Sequence, residues 1–407
     1  MNRAALRSNS TLVLVVLGAL TAFGPFSIDT YLPALPEVAD GLGASIATVQ
    51  LSISSFFFGM ALGQLFIGPI SDRFGRKQPL YIGVGLYIAA TVGCVFAPSA
   101  SALMGLRFFQ ALGGAAGAVI SRAMVRDLSP PHETARVFSL LTLVMGVAPI
   151  LAPTLGGVLL AAFGWRSIFV FLTLFGVLAL LGTWLVLPET RPADASISLG
   201  LDAVLRGYAS IAAIPQFLRF ALVGGMASAG MFAYIAGSSF VYIERFGVSP
   251  SGFAWIFGVN ALGYVTASQI NRYWLARQTP PHILRLVQPV QFVAGLCLLL
   301  AAWLGMGGLP LMLALNFIFV AAIGFIGPNT MALALAPFRR RAGAASALLG
   351  SLQSVVATLA AAAVSVLHNG TIVPMTLVMA ACGLIALLLL QSTPRHASLL
   401  VEPQASD

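Results

Sequence analysis

An all-α membrane protein with twelve transmembrane helices in two six-helix halves is the fold that the 407-residue sequence predicts, and three observations predict it. The chain is 59% apolar and only 8% charged, with a mean hydropathy of +0.96. Soluble globular chains are about half apolar and a quarter charged. Apolar stretches near the ~20 residues that a helix needs to cross the hydrocarbon core recur along the whole chain. One long polar interval divides these stretches six and six.

In order, the predicted spans are 11–34, 47–70, 79–97, 102–122, 135–161, 166–187, 217–241, 252–273, 284–304, 308–334, 343–366 and 371–391. They give an N-terminal half over 1–187, a cytoplasmic linker over 188–216, a C-terminal half over 217–391 and a cytoplasmic tail over 392–407. "SDRFGRKQP" after the second span has a degraded echo in "INRYWLARQTP" after the eighth, where Asn271-Arg272-Tyr273 stands in place of Asp72-Arg73-Phe74. Arg3 and Arg7 before the first run mimic a signal peptide. No convincing small-residue cleavage site follows and the run exceeds the usual length, so an uncleaved first helix is expected.

The net charge of +9 would suggest nucleic acid in a soluble protein. Here the basic residues fall in alternate loops: Arg73, Arg76 and Lys77; Arg122, Arg126 and Arg136; Arg191, Arg206 and Arg219; Arg272, Arg277 and Arg285; Arg339, Arg340 and Arg341. The intervening loops hold only Arg166 and Arg245. That is the positive-inside pattern, with both termini cytoplasmic and no nucleic-acid partner expected. Cys94, Cys297 and Cys382 lie far apart inside apolar spans and make neither a metal spacing nor a disulfide framework. No phosphate-binding loop, metal cluster or nucleophile motif is present, so neither an enzyme nor a cofactor-dependent protein is expected. An ion gradient is left as the energy source.

"GPISDRFGRKQPL" over 68–80, with Gly68, Asp72, Arg73, Gly75, Arg76 and Lys77 in spacing, resembles the signature loop between the second and third helices of the major facilitator superfamily. "LMGLRFFQALGGAAGAV" over 103–119 resembles that family's fourth-helix motif, although Ala111 sits where many members have Gly. "GVAPILAPTLGG" over 146–157, with Gly146, Pro149, Pro153, Gly156 and Gly157, resembles the fifth-helix motif associated with drug/proton antiporters. With "IDTYLPALP", "MFAYIAGSSFVYIE" and "GPNTMALALAPFRRRAGAASALLG", the chain is similar to the Bcr/CflA group of multidrug exporters over nearly its full length. The resemblance implies alternating access between two repeated halves, with substrate near mid-bilayer.

Asp29 is the one carboxylate placed within a span. Such residues are expensive at membrane depth and usually carry function; the plainer reading is a cap at the outer helix end. Arg107 is the basic residue well inside a span. At 1.5 Å per residue each would lie about 9 Å deep, so the two are expected to pair. Asp29 is expected to be the proton site, its charge set by the opposed effects of burial and the Arg107 cation as the cavity opens to either side. The competing reading is a permanent ion pair that only fixes the bundle.

Gly75 is expected to permit a tight turn and Gly68 a close helix contact. By resemblance, Asp72 should face the helix start near Ala342–Ala345 and Arg76 should pair with Asp127, latching the cytoplasmic side. Pro149 and Pro153 should bend the fifth helix while Gly146, Gly156 and Gly157 admit a close neighbour. Candidate substrate contacts are Tyr31, Gln50, Phe57 and Met60, then Phe232, Tyr234, Asn260, Tyr264, Asn316 and Gln353.

These readings together imply a monomeric, proton-coupled antiporter of a bacterial inner membrane. It would export small amphipathic drugs of bicyclomycin, chloramphenicol or sulfonamide type, or metabolites. A proton-coupled importer of the same fold and a membrane sensor without flux are the alternatives.

Overall fold

The structure is a computed structural model describing residues 10–128, 148, 151–194, 201–275, 277–306, 308–338 and 342–392. The described residues contain helices and no strand. Nine helices among them are long and apolar enough to cross a membrane, and a bent pair over Thr11–Thr21 and Phe23–Gly41 makes a tenth span. Helix Pro250–Trp274, at the expected eighth span, has the length but is too polar to join these, because Asn260, Gln269 and Asn271 interrupt its apolar run. At the expected fifth span only the shorter apolar helix Leu151–Phe163 is described, and Gly146 and Pro149 lie outside the described residues.

The first span corrects the expectation of one helix over 11–34. Helix α1 (Ser10–Thr21) meets the following run at 46°. That run is itself divided into α2 (Phe23–Asp29), a 3₁₀ turn over Leu32–Ala34 and α3 (Leu35–Gly41). The cause is in the sequence: Pro25, Pro33 and Pro36 each remove a backbone donor and crowd the preceding turn.

Residues Met1–Val204 and Tyr242–Gly258 form one compact unit. In it, α4 (Ile46–Phe74) starts at Ser45, whose Oγ accepts the Thr48 N–H at 3.2 Å, and stops at Gly75, whose φ of +83° favours glycine. Then follow α5 (Lys77–Val95), α6 (Ala100–Leu128), α7 (Leu151–Phe163) and α8 (Arg166–Val186). Helix α6 packs on both α4 and α5. Its Ala115 and Ala116 sit where a Cβ on Gly63 of α4 or Gly83 of α5 would fall. Lipid supplies no hydrophobic drive for helix association, so small residues that let backbones approach are what hold such pairs. Phe23 of α2 stacks on Tyr87 of α5, with ring centroids 4.4 Å apart, inside a core of Leu17, Leu20, Val84 and Ile120.

Residues Leu205–Val241 and Val259–Asp407 form the second unit. Its helices are α10 (Pro215–Ser239), the later part of α11 (Pro250–Trp274), α12 (Pro280–Trp303), α13 (Leu309–Leu335), α14 (Ala342–Val366) and α15 (Val373–Gln391), preceded by the short α9 (Leu201–Ala212). Helix α10 packs against α13, α14 and α15. Polar side chains join these helices: Asn329 Nδ2 donates to Asn271 Oδ1 at 2.7 Å, and Gln291 Nε2 donates to the Ala227 carbonyl at 3.1 Å.

Candidate functional site

Asp29 is the last residue of α2 and is 5% exposed. Among the described residues its carboxyl has no hydrogen-bond or ion-pair partner. The cap reading fails on geometry: neither α2 nor the 3₁₀ turn after it has a side-chain cap bond, and an acid at a helix C-terminus opposes the helix dipole.

Arg107 of α6 is fully buried. Its guanidinium carbon lies 4.5 Å from the ring centre of Phe56, 4.9 Å from that of Tyr31 and 6.0 Å from that of Phe169. Nη1 donates to Gln110 Oε1 at 2.6 Å, Gln110 Nε2 donates to Thr91 Oγ1 at 2.8 Å, and Thr91 Oγ1 donates to the Tyr87 carbonyl. The spacing of Arg107 and Gln110, one helical turn apart, permits the first of these bonds. Tyr31 OH and Ser52 Oγ share a hydrogen bond of 3.1 Å, which fixes one wall of the cage.

The expected Asp29–Arg107 ion pair is absent from this structure, and the broken first span explains why. Equal depths follow only if the segment is one straight helix, whereas the chain turns after Asp29 and Tyr31 is the residue that meets the guanidinium.

A second cluster surrounds the loop between α4 and α5. Arg76, only 4% exposed, donates from Nε to Asp127 Oδ2 at 2.9 Å and from Nη1 to Asp72 Oδ1 at 2.7 Å and Ser71 Oγ at 2.8 Å. Burial acts to lower its pKa, and the bonds and charges of Asp127 and Asp72 outweigh that, so the guanidinium stays above arginine's ordinary value. Sequence reasoning missed the residues that close this cluster. Glu189 accepts the backbone N–H groups of Arg76 at 2.8 Å and Lys77 at 3.0 Å, placing a carboxylate on the first turn of α5. Thr190 Oγ1 donates to Asp127 Oδ2 at 3.0 Å and Arg191 Nη1 to Asp72 Oδ1 at 3.0 Å. Arg73 and Lys77 instead lie over the rings of Phe74 and Tyr81. At Gly68 an added Cβ would meet no atom within 4 Å among the described residues, so the close helix contact expected there is not found among them.

In α7, a Cβ on Gly156 would fall on the carbonyl of Thr30, beside Asp29, whereas one on Gly157 would lie 3.7 Å from the Pro250 carbonyl. Pro153 is buried in the same helix.

The candidate substrate contacts divide. Tyr31 belongs to the Arg107 cage, and Gln50 is buried with both amide atoms lacking a hydrogen bond among the described residues. Phe57 and Met60 are buried on α4, with Met60 Cε 3.6 Å from where a Cβ on Gly24 would sit. In the second unit Tyr234 and Asn260 come together through a 3.0 Å bond, Asn316 is buried, and Phe232, Tyr264 and Gln353 are partly exposed. Phe56, Phe169, Gln110 and Thr91 were not anticipated. The only sequence sign of them is the i, i+3 pairing of Arg107 with Gln110.

The sequence profile described as Major Facilitator Superfamily matches residues 16–362. An uncharacterized MFS-type transporter, YdgK, of Bacillus subtilis is 36% identical over 366 residues, covering 89% of this chain and 90% of that protein. A bicyclomycin resistance protein homolog of Haemophilus influenzae is 33% identical over 383 residues, covering 94% and 96%. Among solved structures, a D-xylose-proton symporter superimposes with a TM-score of 0.72 at 15% identity, covering 95% of this chain and 98% of that one, a likeness of fold alone. The chain therefore belongs to the Major Facilitator Superfamily of transporters.

Proposed function

We propose that the protein is a proton-coupled antiporter exporting small amphipathic drugs, of bicyclomycin, chloramphenicol or sulfonamide type, or metabolites, across a bacterial inner membrane with both termini cytoplasmic. The observation that carries this reading is the buried carboxyl of Asp29, placed in a broken apolar span without a partner among the described residues. The charge of such a group depends on whether water reaches it, which is what coupling a proton to alternating access requires. The Haemophilus relative, named for bicyclomycin resistance, supports the substrate class. Arg107 would sense the same cavity, and Gly68, Asp72, Arg73, Gly75, Arg76, Lys77 and Asp127 would form the loop that latches and releases between states. The halves would be 1–187 and 217–391, joined by the linker 188–216 and followed by the tail 392–407. No step requires a cofactor.

The test is substrate-driven proton release from inside-out vesicles of a pump-deficient bacterium, wild type against Asp29→Asn. Release with one compound class that is lost in the variant supports the reading. Release kept in the variant moves the proton site elsewhere, and depletion of substrate from the vesicles in place of accumulation makes the protein an importer.

A further inference from the structure

The fully buried Arg107 is an unusual cation: it has no carboxylate partner among the described residues. A guanidinium carries five N–H donors, and among the described residues only Nη1 has an acceptor, the neutral amide of Gln110. Nε and Nη2 have none. These two nitrogens form one edge of the planar group, the edge that meets both oxygens of a carboxylate with two parallel bonds. The other sides are taken. Phe56, Tyr31 and Phe169 surround the group within 6.0 Å of its central carbon, and Gln110 holds the end.

Rings and one amide compensate such a charge only in part. A cation over an aromatic face gains about 0.5–2 kcal/mol, while taking an ion out of water costs several. A buried donor left without an acceptor costs a further ~1–3 kcal/mol. Two adjacent vacant donors on a caged cation are therefore what a receptor for an anionic, fork-shaped group looks like before its ligand arrives. The aromatic walls suit an apolar body attached to that group.

We propose that Arg107 is a substrate receptor, and that its free Nε/Nη2 edge takes the carboxylate of a small amphipathic acid whose apolar part lies against Tyr31, Phe56 and Phe169. The inference rests on the export reading and narrows its metabolite substrates to carboxylic acids, since bicyclomycin and chloramphenicol carry no carboxylate. Reaching the edge requires these rings to part, as alternation between states would provide. Gln110 is a positioning residue: through its bond to Thr91 it turns the end of the guanidinium away and leaves the other edge presented.

The experiment is thermal unfolding of the purified full-length protein in lipid nanodiscs, titrated with benzoate and phenylacetate, with the isosteric benzamide and phenylacetamide, and with sodium chloride as an inorganic arm. The acids are expected to raise the Tm of the wild type, with half-saturation roughly 10- to 100-fold lower than for the amides, the scale of a charge-assisted hydrogen-bonded pair. Arg107→Lys keeps the charge without the fork and should lose most of that preference. Equal binding of acids and amides by the wild type overturns the proposal without reference to any variant, and saturation by chloride in the same range reassigns the edge to inorganic anions and overturns it too. Failure of the export reading is distinguishable. Proton release driven by neutral drugs, with no acid binding, sinks this inference alone, whereas acid binding without any proton movement sinks antiport alone.

Discussion

Glu189 Oε1 accepts the backbone N–H of Arg76 at 2.8 Å across 113 residues of chain, and Glu189 Oε2 accepts the N–H of Lys77 at 3.0 Å. A residue at the start of the polar interval after α8 thus serves as the N-terminal acceptor of α5. Replacing Glu189 with Ala should lower stability by about 0.5–2 kcal/mol, the range for a lost helix cap. Glu189→Gln, which keeps an acceptor oxygen, should lose less. Denaturation of the detergent-purified variants checks the order, and an alanine variant as stable as the glutamine one would show that the contact is idle.

Arg76 and Asp127 should be energetically coupled. A double-mutant cycle with Arg76→Met and Asp127→Asn is expected to return a coupling of about 1–3 kcal/mol, because Arg76 is 4% exposed and the pair shares Asp127 with Thr190. A coupling near zero would mark the pair as solvent-like.

Glycine positions give a paired prediction. Gly156→Ala drives a methyl into the Thr30 carbonyl and should destabilise the protein and depress transport, since the displaced backbone is next to Asp29. Gly68→Ala meets open space and should leave stability unchanged or improve it by up to about 1 kcal/mol, as a helix-interior glycine replaced by alanine does. Parallel melting curves and efflux assays compare the two.

His368, between α14 and α15, lies edge-to-face on Phe240 with ring centroids 4.4 Å apart. Burial holds its imidazole below histidine's ordinary value, so the folded protein binds this proton less readily than the unfolded chain does. The resulting loss of stability is absent well above pH ~6.5 and sets in as pH falls through that ordinary value. The Tm of His368→Phe should fall less than that of the wild type between neutral and mildly acid pH. A steeper fall in the variant would reverse the sign.

Much of the fold was legible because the bilayer forces it: apolar length located helices at the expected spans, the fifth described only over Leu151–Phe163, and the prolines that break the first stand in "GPFSIDTYLPALP". Asp29 and Arg107 stood out as charges in apolar runs. The partners of Arg107 did not. Phe56 and Phe169 look like any lipid-facing aromatic until helices are paired, and the i, i+3 relation of Arg107 to Gln110 gains meaning only once Thr91 lies opposite. Glu189, Thr190 and Arg191 fall in the linker by sequence alone, because their contacts lie more than 60 residues away along the chain.

The bonds behind Arg107 run one way, from guanidinium to amide to hydroxyl to the Tyr87 carbonyl. An amide N–H does not ionise at physiological pH and a backbone carbonyl has no proton to pass on, so this row of donors is an electrical insulator, however wire-like its geometry. Gln110→Glu would set an acceptor-only carboxylate against the guanidinium, yet the row would still end at the Tyr87 carbonyl and remain an insulator.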